Sequence, residues 1–157
     1  MMMKKSLLLI AICLSACAGA YAQKVKPVEY GGSVNLIKSD PDQSSIIVRT
    51  LGYGKNEAAA REDAEIRAMR AVLYVGFQGC SGLVKESEAE GEHAAYFSRL
   101  FDDKRYKDFV SGVASVGDLI KVKGQKVKQM PFDITVNRKA LRQDLVRNQI
   151  GRLGFGR

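Results

Sequence analysis

The sequence predicts an α+β fold. It is a two-layer domain with a mostly antiparallel sheet and helices packed on one face, in the order β-β-α-(α)-β-β-α. Three observations lead there. Runs of alternating or β-branched residues occur near both ends of the chain. Between them lies one long pattern with alanines at helical spacing. Compact turn-forming clusters separate these segments. Helices against one face of such a sheet bury both apolar surfaces at once.

The elements follow in order. Gln23 to Pro27 is a lead-in. Val28 to Lys38 has strand character, with Val34 and Leu36 alternating against Ser33 and Asn35. Ser39-Asp40-Pro41-Asp42-Gln43-Ser44 is turn chemistry. Ser45 to Tyr53 is a second strand containing Ile46, Ile47, Val48 and Thr50, which completes a hairpin. Gly52-Tyr53-Gly54-Lys55 reads as a tight turn in which glycine frees the backbone and Tyr53 is exposed or wedged. Asn56 caps the next helix, and Glu57 suits its first turn. That helix runs from Glu57 to about Val75, with Ala60, Ala64, Ala68, Ala71, Val72 and Val75 on its packing face.

Gly76 to Gly82 is a glycine-rich break. Lys85 to His93 is charged, lacks an apolar stripe, and reads as an exposed loop or frayed helix. Ala94 to Val113 carries Tyr96, Phe97, Leu100, Phe101, Tyr106, Phe109 and Val110, which fit one or two short helices closing the core. Leu119 to Lys123 and Gln125 to Asn137 are two strands turning near Gly124. Pro131 marks the second of these as an edge strand or a bulge. Asn137 caps a last helix, Arg138 to Ile150, which Gly151 ends.

The N-terminus is an export signal. Met1-Met2-Met3-Lys4-Lys5 is cationic, Ser6 to Ala16 is apolar, and Ala20-Tyr21-Ala22 is a small-x-small cleavage site. The apolar run is too short to span a bilayer. The domain plan is therefore a signal peptide over residues 1–22, one α+β domain over 23–150 and a basic tail over 151–157. Leu14-Ser15-Ala16-Cys17 also matches a bacterial lipobox. In that alternative the leader is 1–16, and acyl chains on Cys17 tether the protein to a membrane. Either way the protein is expected in the periplasm or at the outer membrane. Cleavage before Gln23 removes Cys13 and Cys17 and leaves only Cys80, so an internal disulfide is excluded.

The chain has 157 residues and a formal net charge of +8, with 46% hydrophobic and 27% charged residues. This composition suits a single globular domain. Charge is segregated along it. Residues 119–157 hold ten Lys and Arg against Asp133 and Asp144, whereas residues 85–103 hold six acids against Lys85 and Arg99. Lys121 and Lys123 share one row of a strand, and Lys126 and Lys128 share a row after the turn. Such lysines guard a sheet edge or form a contact surface for an acidic partner. Together with Arg138 and Arg142 on the last helix, they are the candidate docking face. The partner is an envelope protein, or alternatively an anionic polysaccharide or lipid headgroup. Export and the lack of a recognition motif argue against nucleic acid.

Catalytic chemistry finds little support. One histidine, His93, and one retained cysteine do not make a zinc site, and Lys85 to Glu92 lacks the EF-hand pattern. Cys80 with His93 is the one nucleophile–base pair available, but no protease signature surrounds it. Gly52-Tyr53-Gly54-Lys55 fails as a P-loop because Arg49 stands where the upstream glycine belongs and Asn56 where Ser or Thr belongs. It fails as a dinucleotide fingerprint because Glu57 replaces the third glycine. No cofactor is called for, and a non-enzymatic protein is expected.

The strand ending in Gly52-Tyr53-Gly54, followed by the helix Glu57-Ala58-Ala59-Ala60-Arg61-Glu62-Asp63-Ala64 onward to Ala71-Val72-Leu73, resembles the N-terminal domain of flagellar assembly protein T. It is also similar to related small envelope lipoproteins. The resemblance covers about Ile46 to Val75. It implies a β-hairpin feeding an alanine-rich helix and a structural or assembly role in the envelope. It transfers no binding residue.

Overall fold

The computed structural model describes residues 33–151. The expected cleavage residues Ala20 and Ala22, the lipobox Cys17, and tail residues 152–157 lie outside the described residues. Seven strands are described: β1 (Asn35–Ser39), β2 (Ile46–Gly54), β3 (Gly76–Phe77), β4 (Cys80–Ser81), β5 (Val110–Ser115), β6 (Ile120–Lys121) and β7 (Lys128–Val136). The α-helices are α1 (Glu57–Arg70), α2 (Glu86–Glu90), α3 (Ala94–Asp102) and α4 (Arg138–Arg147). The result is an α+β fold whose main sheet is antiparallel, in the order β1-β2-β7-β5, with β6 also paired to β7. β3 and β4 form a separate small hairpin.

Alternation in β2 and β7 sets the two layers. Ile46, Val48, Thr50, Gly52 and Gly54 are buried on one face of β2, and Met130, Phe132, Ile134 and Val136 on the same face of β7. Helix α1 covers that face with Ala60, Ala64, Ala68 and Met69. Complete burial of side chains such as Phe132, Ile134 and Leu141 contributes about 1.5 to 3 kcal/mol each. Helix α1 starts where expected: the Asn56 side chain accepts from Ala59 N–H at 2.9 Å. It continues as a π-helical turn over Ala71–Val75, and Gly76, at φ 74°, ends it.

Gly52 and Gly54 are not turn residues. Both lie within β2, where a Cβ on Gly52 would stand 1.8 Å from the Ala60 carbonyl oxygen and one on Gly54 2.5 Å from Ala60 N. They are glycine because the helix backbone rests on the strand backbone. Tyr53 is half-buried within the same strand. Its N–H donates to the Asp63 carboxylate at 2.9 Å, and the Arg67 guanidinium lies 5.0 Å from its ring centre.

The segment from Ala94 divides differently from the helical expectation. Helix α3 buries Tyr96, Phe97 and Leu100, and a 3-10 turn over Arg105–Phe109 buries Tyr106 and Phe109. Val110 to Val113, expected as helix, instead belongs to strand β5. Its partner β7 imposes this conformation, with a bulge between Val110 and Gly112. The expected Leu119–Lys123 strand is short, being regular only over Ile120–Lys121.

Pro131 does not mark an edge strand, because β7 lies between β2 and β5. It falls instead at the gap between β5, whose pairing ends at Ser115–Phe132, and β6, which begins at Ile120–Gln129. Its carbonyl accepts from Val116 N–H at 3.0 Å. The nitrogen of the same residue points the same way, so its missing N–H takes no bond from the ladder to β2 and forgoes only the return bond to Val116. Helix α4 is capped by Asn137, which accepts from Ala140 N–H at 2.9 Å. It packs through Leu141 and Leu145, and Ile150 is buried just beyond it.

Candidate docking surface

The β6–β7 hairpin gathers four lysines. Lys121 is the direct cross-strand partner of Lys128. Val122 N–H donates to Val127 O at 3.1 Å, and Gln125 N–H donates to Val122 O at 3.1 Å, so the ladder ends at Val122 and Val127, with Lys123 and Lys126 in the connecting turn. Gly124, at φ 76°, makes that turn possible. Cross-strand partners share a face and neighbours along a strand alternate. Lys121 and Lys128 therefore project on one side of the ribbon, and Val122 and Val127 on the other, while Lys123 and Lys126 stand in the turn just beyond. The two lysine rows expected from the sequence meet at the Lys121–Lys128 pair, and Lys123 and Lys126 cluster beside it in the turn. All four lysines are exposed, and none has an acidic partner within 4.0 Å among the described residues.

The two arginines do not extend this patch. Lys128 pairs with Gly54 at one end of β2, whereas Val136, just ahead of α4, pairs with Ile46 at the other. At about 3.3 Å per residue, the length of β7 puts Arg138 roughly 30 Å from the hairpin. Arg138 is moreover 2% exposed. Its guanidinium donates to the Ser81 carbonyl at 2.6 Å and to Gln43 Oε1 at 3.0 Å, tying the β1–β2 loop to β4. Burial pushes the Arg138 guanidinium below its ordinary value. Arg138 is a buried clamp rather than a docking residue. Arg142, one turn on, is half-buried, and its Nε is buried without a hydrogen-bond partner.

Cys80 lies on β4, 4% exposed, and is a free thiol. The glycine-rich setting suggests exposure, but the β3–β4 hairpin folds the side chain inward. His93 instead lines a cleft with Glu88, Glu92, Val146 and Ile150, and Cys80 does not line it. Among the described residues, no group of three or more His, Cys, Asp or Glu is placed to hold a metal ion. No described helix is long and apolar enough to cross a membrane.

The face of the sheet turned away from α1 carries an ordered ion pair. Arg49 and Asp133 are cross-strand partners and meet in a two-pronged contact, Nε to Oδ1 at 2.7 Å and a second guanidinium nitrogen to Oδ2 at 2.8 Å. The Arg49 guanidinium holds the Asp133 carboxyl below its ordinary value.

One polar cluster escaped the sequence reading. Glu65 is 4% exposed and sits beside the alanine stripe of α1, with Arg61 Nε 3.1 Å from its Oε1 and Lys107 Nζ 3.8 Å from its Oε2. The four-residue spacing of Arg61 and Glu65 is readable from the sequence, but the approach of Lys107 from the 3-10 turn is not. No family model, curated protein or solved structure matches the chain.

Proposed function

We propose that the protein is a non-enzymatic, exported envelope component that docks onto an acidic face of a larger envelope protein through its lysine hairpin. The observation that carries this reading is the direct pairing of Lys121 with Lys128, beside Lys123 and Lys126 in the adjoining turn, with no acidic partner within 4.0 Å among the described residues. Like charges directly opposite one another on a strand pair are destabilising. Guarding an edge needs lysines on the edge strand only, so Lys128, on the inner strand β7, is accounted for by an anionic partner. The leader Met1 to Ala22 supports export, by ordinary cleavage before Gln23 or by lipidation at Cys17. Intact mass of the mature protein distinguishes the two.

The test is recovery of the protein from its native envelope after gentle crosslinking. It compares the wild type with a variant carrying Lys121→Glu, Lys123→Glu, Lys126→Glu and Lys128→Glu. A stoichiometric protein partner lost in the variant supports docking through the hairpin; equal retention by both proteins refutes it. If the wild type crosslinks to no protein yet binds acidic polysaccharide or anionic vesicles in a salt-sensitive way, the partner is a non-protein anion.

A further inference from the structure

Strand β5 ends the main sheet, and its outer side has no strand partner among the described residues. Val116 N–H bonds to Pro131 O, and the register continues through Ala114–Asp133 and Gly112–Thr135. In an antiparallel ladder the bonded residues alternate. Gly112 and Ala114 therefore turn their backbone groups to β7, and Val113 and Ser115 turn theirs outward. The edge sequence Val-Ser-Gly-Val-Ala-Ser holds no charge and no proline, the usual guards against strand addition. At the other side of the sheet, by contrast, the Tyr53 N–H is occupied by Asp63.

Beside the β5 edge lies a cleft of about 460 Å³ whose lining includes Arg61, Glu62, Glu65, Lys107, Ser111 and Val113. Its charges balance. Glu65 Oε2 is buried there and accepts no hydrogen bond, since Lys107 Nζ at 3.8 Å is too far to donate one. An unmet buried carboxylate oxygen is costly unless something supplies a donor. With two cations already beside it, the site calls for a neutral donor.

We propose that this cleft binds an extended, uncharged segment of another polypeptide, which adds a strand to β5 and offers a hydroxyl or amide donor to Glu65. Val113 and Ser115 supply the outward backbone groups, and α1 forms the wall. This site stands apart from the lysine hairpin and does not depend on it.

The test is amide exchange of the isotope-labelled protein with the blocked peptide Ser-Val-Thr-Val-Thr-Ser at about 1 mM. Exchange at Val113 and Ser115 is expected to slow by about tenfold, and the same peptide N-methylated at alternate residues is expected to leave it unchanged. Glu65→Gln, which replaces the acceptor by a donor, is expected to weaken binding by about tenfold. Unaltered exchange with the parent peptide, or equal effects of the parent and N-methylated peptides, overturns the proposal. Protection that appears without peptide and rises with protein concentration overturns it in favour of a second copy of this chain.

Discussion

Gly52→Ala tests how the two layers meet. The added Cβ would lie 1.8 Å from Ala60 O, 2.7 Å from Ala60 C and 2.9 Å from Ala64 Cβ. A carbon and a carbonyl oxygen rest about 3.3 Å apart even in a close contact, so helix and strand must separate by roughly 1.5 Å. The obstructing atoms are backbone, and no rotamer change can clear them. A gap of even 1 Å forfeits up to about half the dispersion energy of the facing atoms, here along the Ala60, Ala64 and Ala68 seam. The expected loss is about 3 kcal/mol or more, at the top of the overpacking range, from a total of roughly 5 to 15 kcal/mol. Urea denaturation followed by far-ultraviolet circular dichroism reads this as a drop in midpoint at constant slope. Gly112→Ala is the control. It makes the same chemical change in the same sheet, but its Cβ meets the Thr135 side chain at 3.3 Å, which can give way. It should cost less than about 1 kcal/mol. Equal midpoints for the two variants would show that α1 does not rest on the Gly52 backbone.

Arg138→Met keeps much of the stem volume but leaves the Ser81 carbonyl and Gln43 without their donor; urea midpoints should fall by an amount equivalent to about 2 to 3 kcal/mol. Burial pushes the Tyr74 hydroxyl up to about 12 and raises Tyr96 and Tyr106 as well, with Asp144 adding at Tyr96 and Glu65 at Tyr106. Because these hydroxyls ionise near 10.0 when unfolded, their stabilisation is complete below that pH and declines above it. Phenolate absorbance should therefore rise together with loss of ellipticity, and titration of all three before unfolding would contradict their burial. Asp133 is held below its ordinary value of 3.8, so its contribution is present above that pH and fades as pH falls through the lower folded value. Asp133→Asn should flatten the acid limb of the stability profile, and an unchanged limb counts against the Arg49 contact. Pro131→Ala restores an N–H that faces Val116 at the end of β5, and its denaturation midpoint should shift by less than about 1 kcal/mol equivalent.

Periodicity made β2 and α1 legible because both elements are written in local pattern: alternating β-branched residues, then alanines every fourth position behind an Asn56 cap. Strand β5 was not legible. Val110 follows directly on an aromatic stripe, and its short, small-residue segment becomes a strand only because β7, some twenty residues later, pairs with it. The role of Gly52 was hidden for a related reason: a glycine at a tight turn and one beneath a helix backbone look alike until the helix is placed. At the candidate sites, the lysine count was readable but its geometry was not. Lys121 and Lys128 face each other only through the register of β6 and β7. Arg138 sits in an evidently basic segment, yet its partners Gln43 and Ser81 come from two distant loops. Net charge cannot distinguish a solvated arginine from a buried one.

The two proposed surfaces differ in physics, and the difference separates them in one experiment. Attraction between the lysine hairpin and an acidic face acts between exposed charges, which salt screens over about 10 Å at 0.1 M. Strand addition at β5 rests on backbone hydrogen bonds and on a donor to a carboxylate that is 4% exposed, and buried interactions are screened far less. A partner held by the hairpin should release between low and high salt, and the four-lysine reversal should mimic high salt. A partner held by the β5 cleft should survive both and bind about tenfold more weakly in Glu65→Gln. A single partner using both surfaces should show a salt-sensitive association rate and a salt-insensitive dissociation rate, because long-range charge governs encounter while short-range contacts govern lifetime. Binding kinetics of the captured partner across a salt series read both rates. A dissociation rate that rises steeply with salt would assign the hold to the lysines alone.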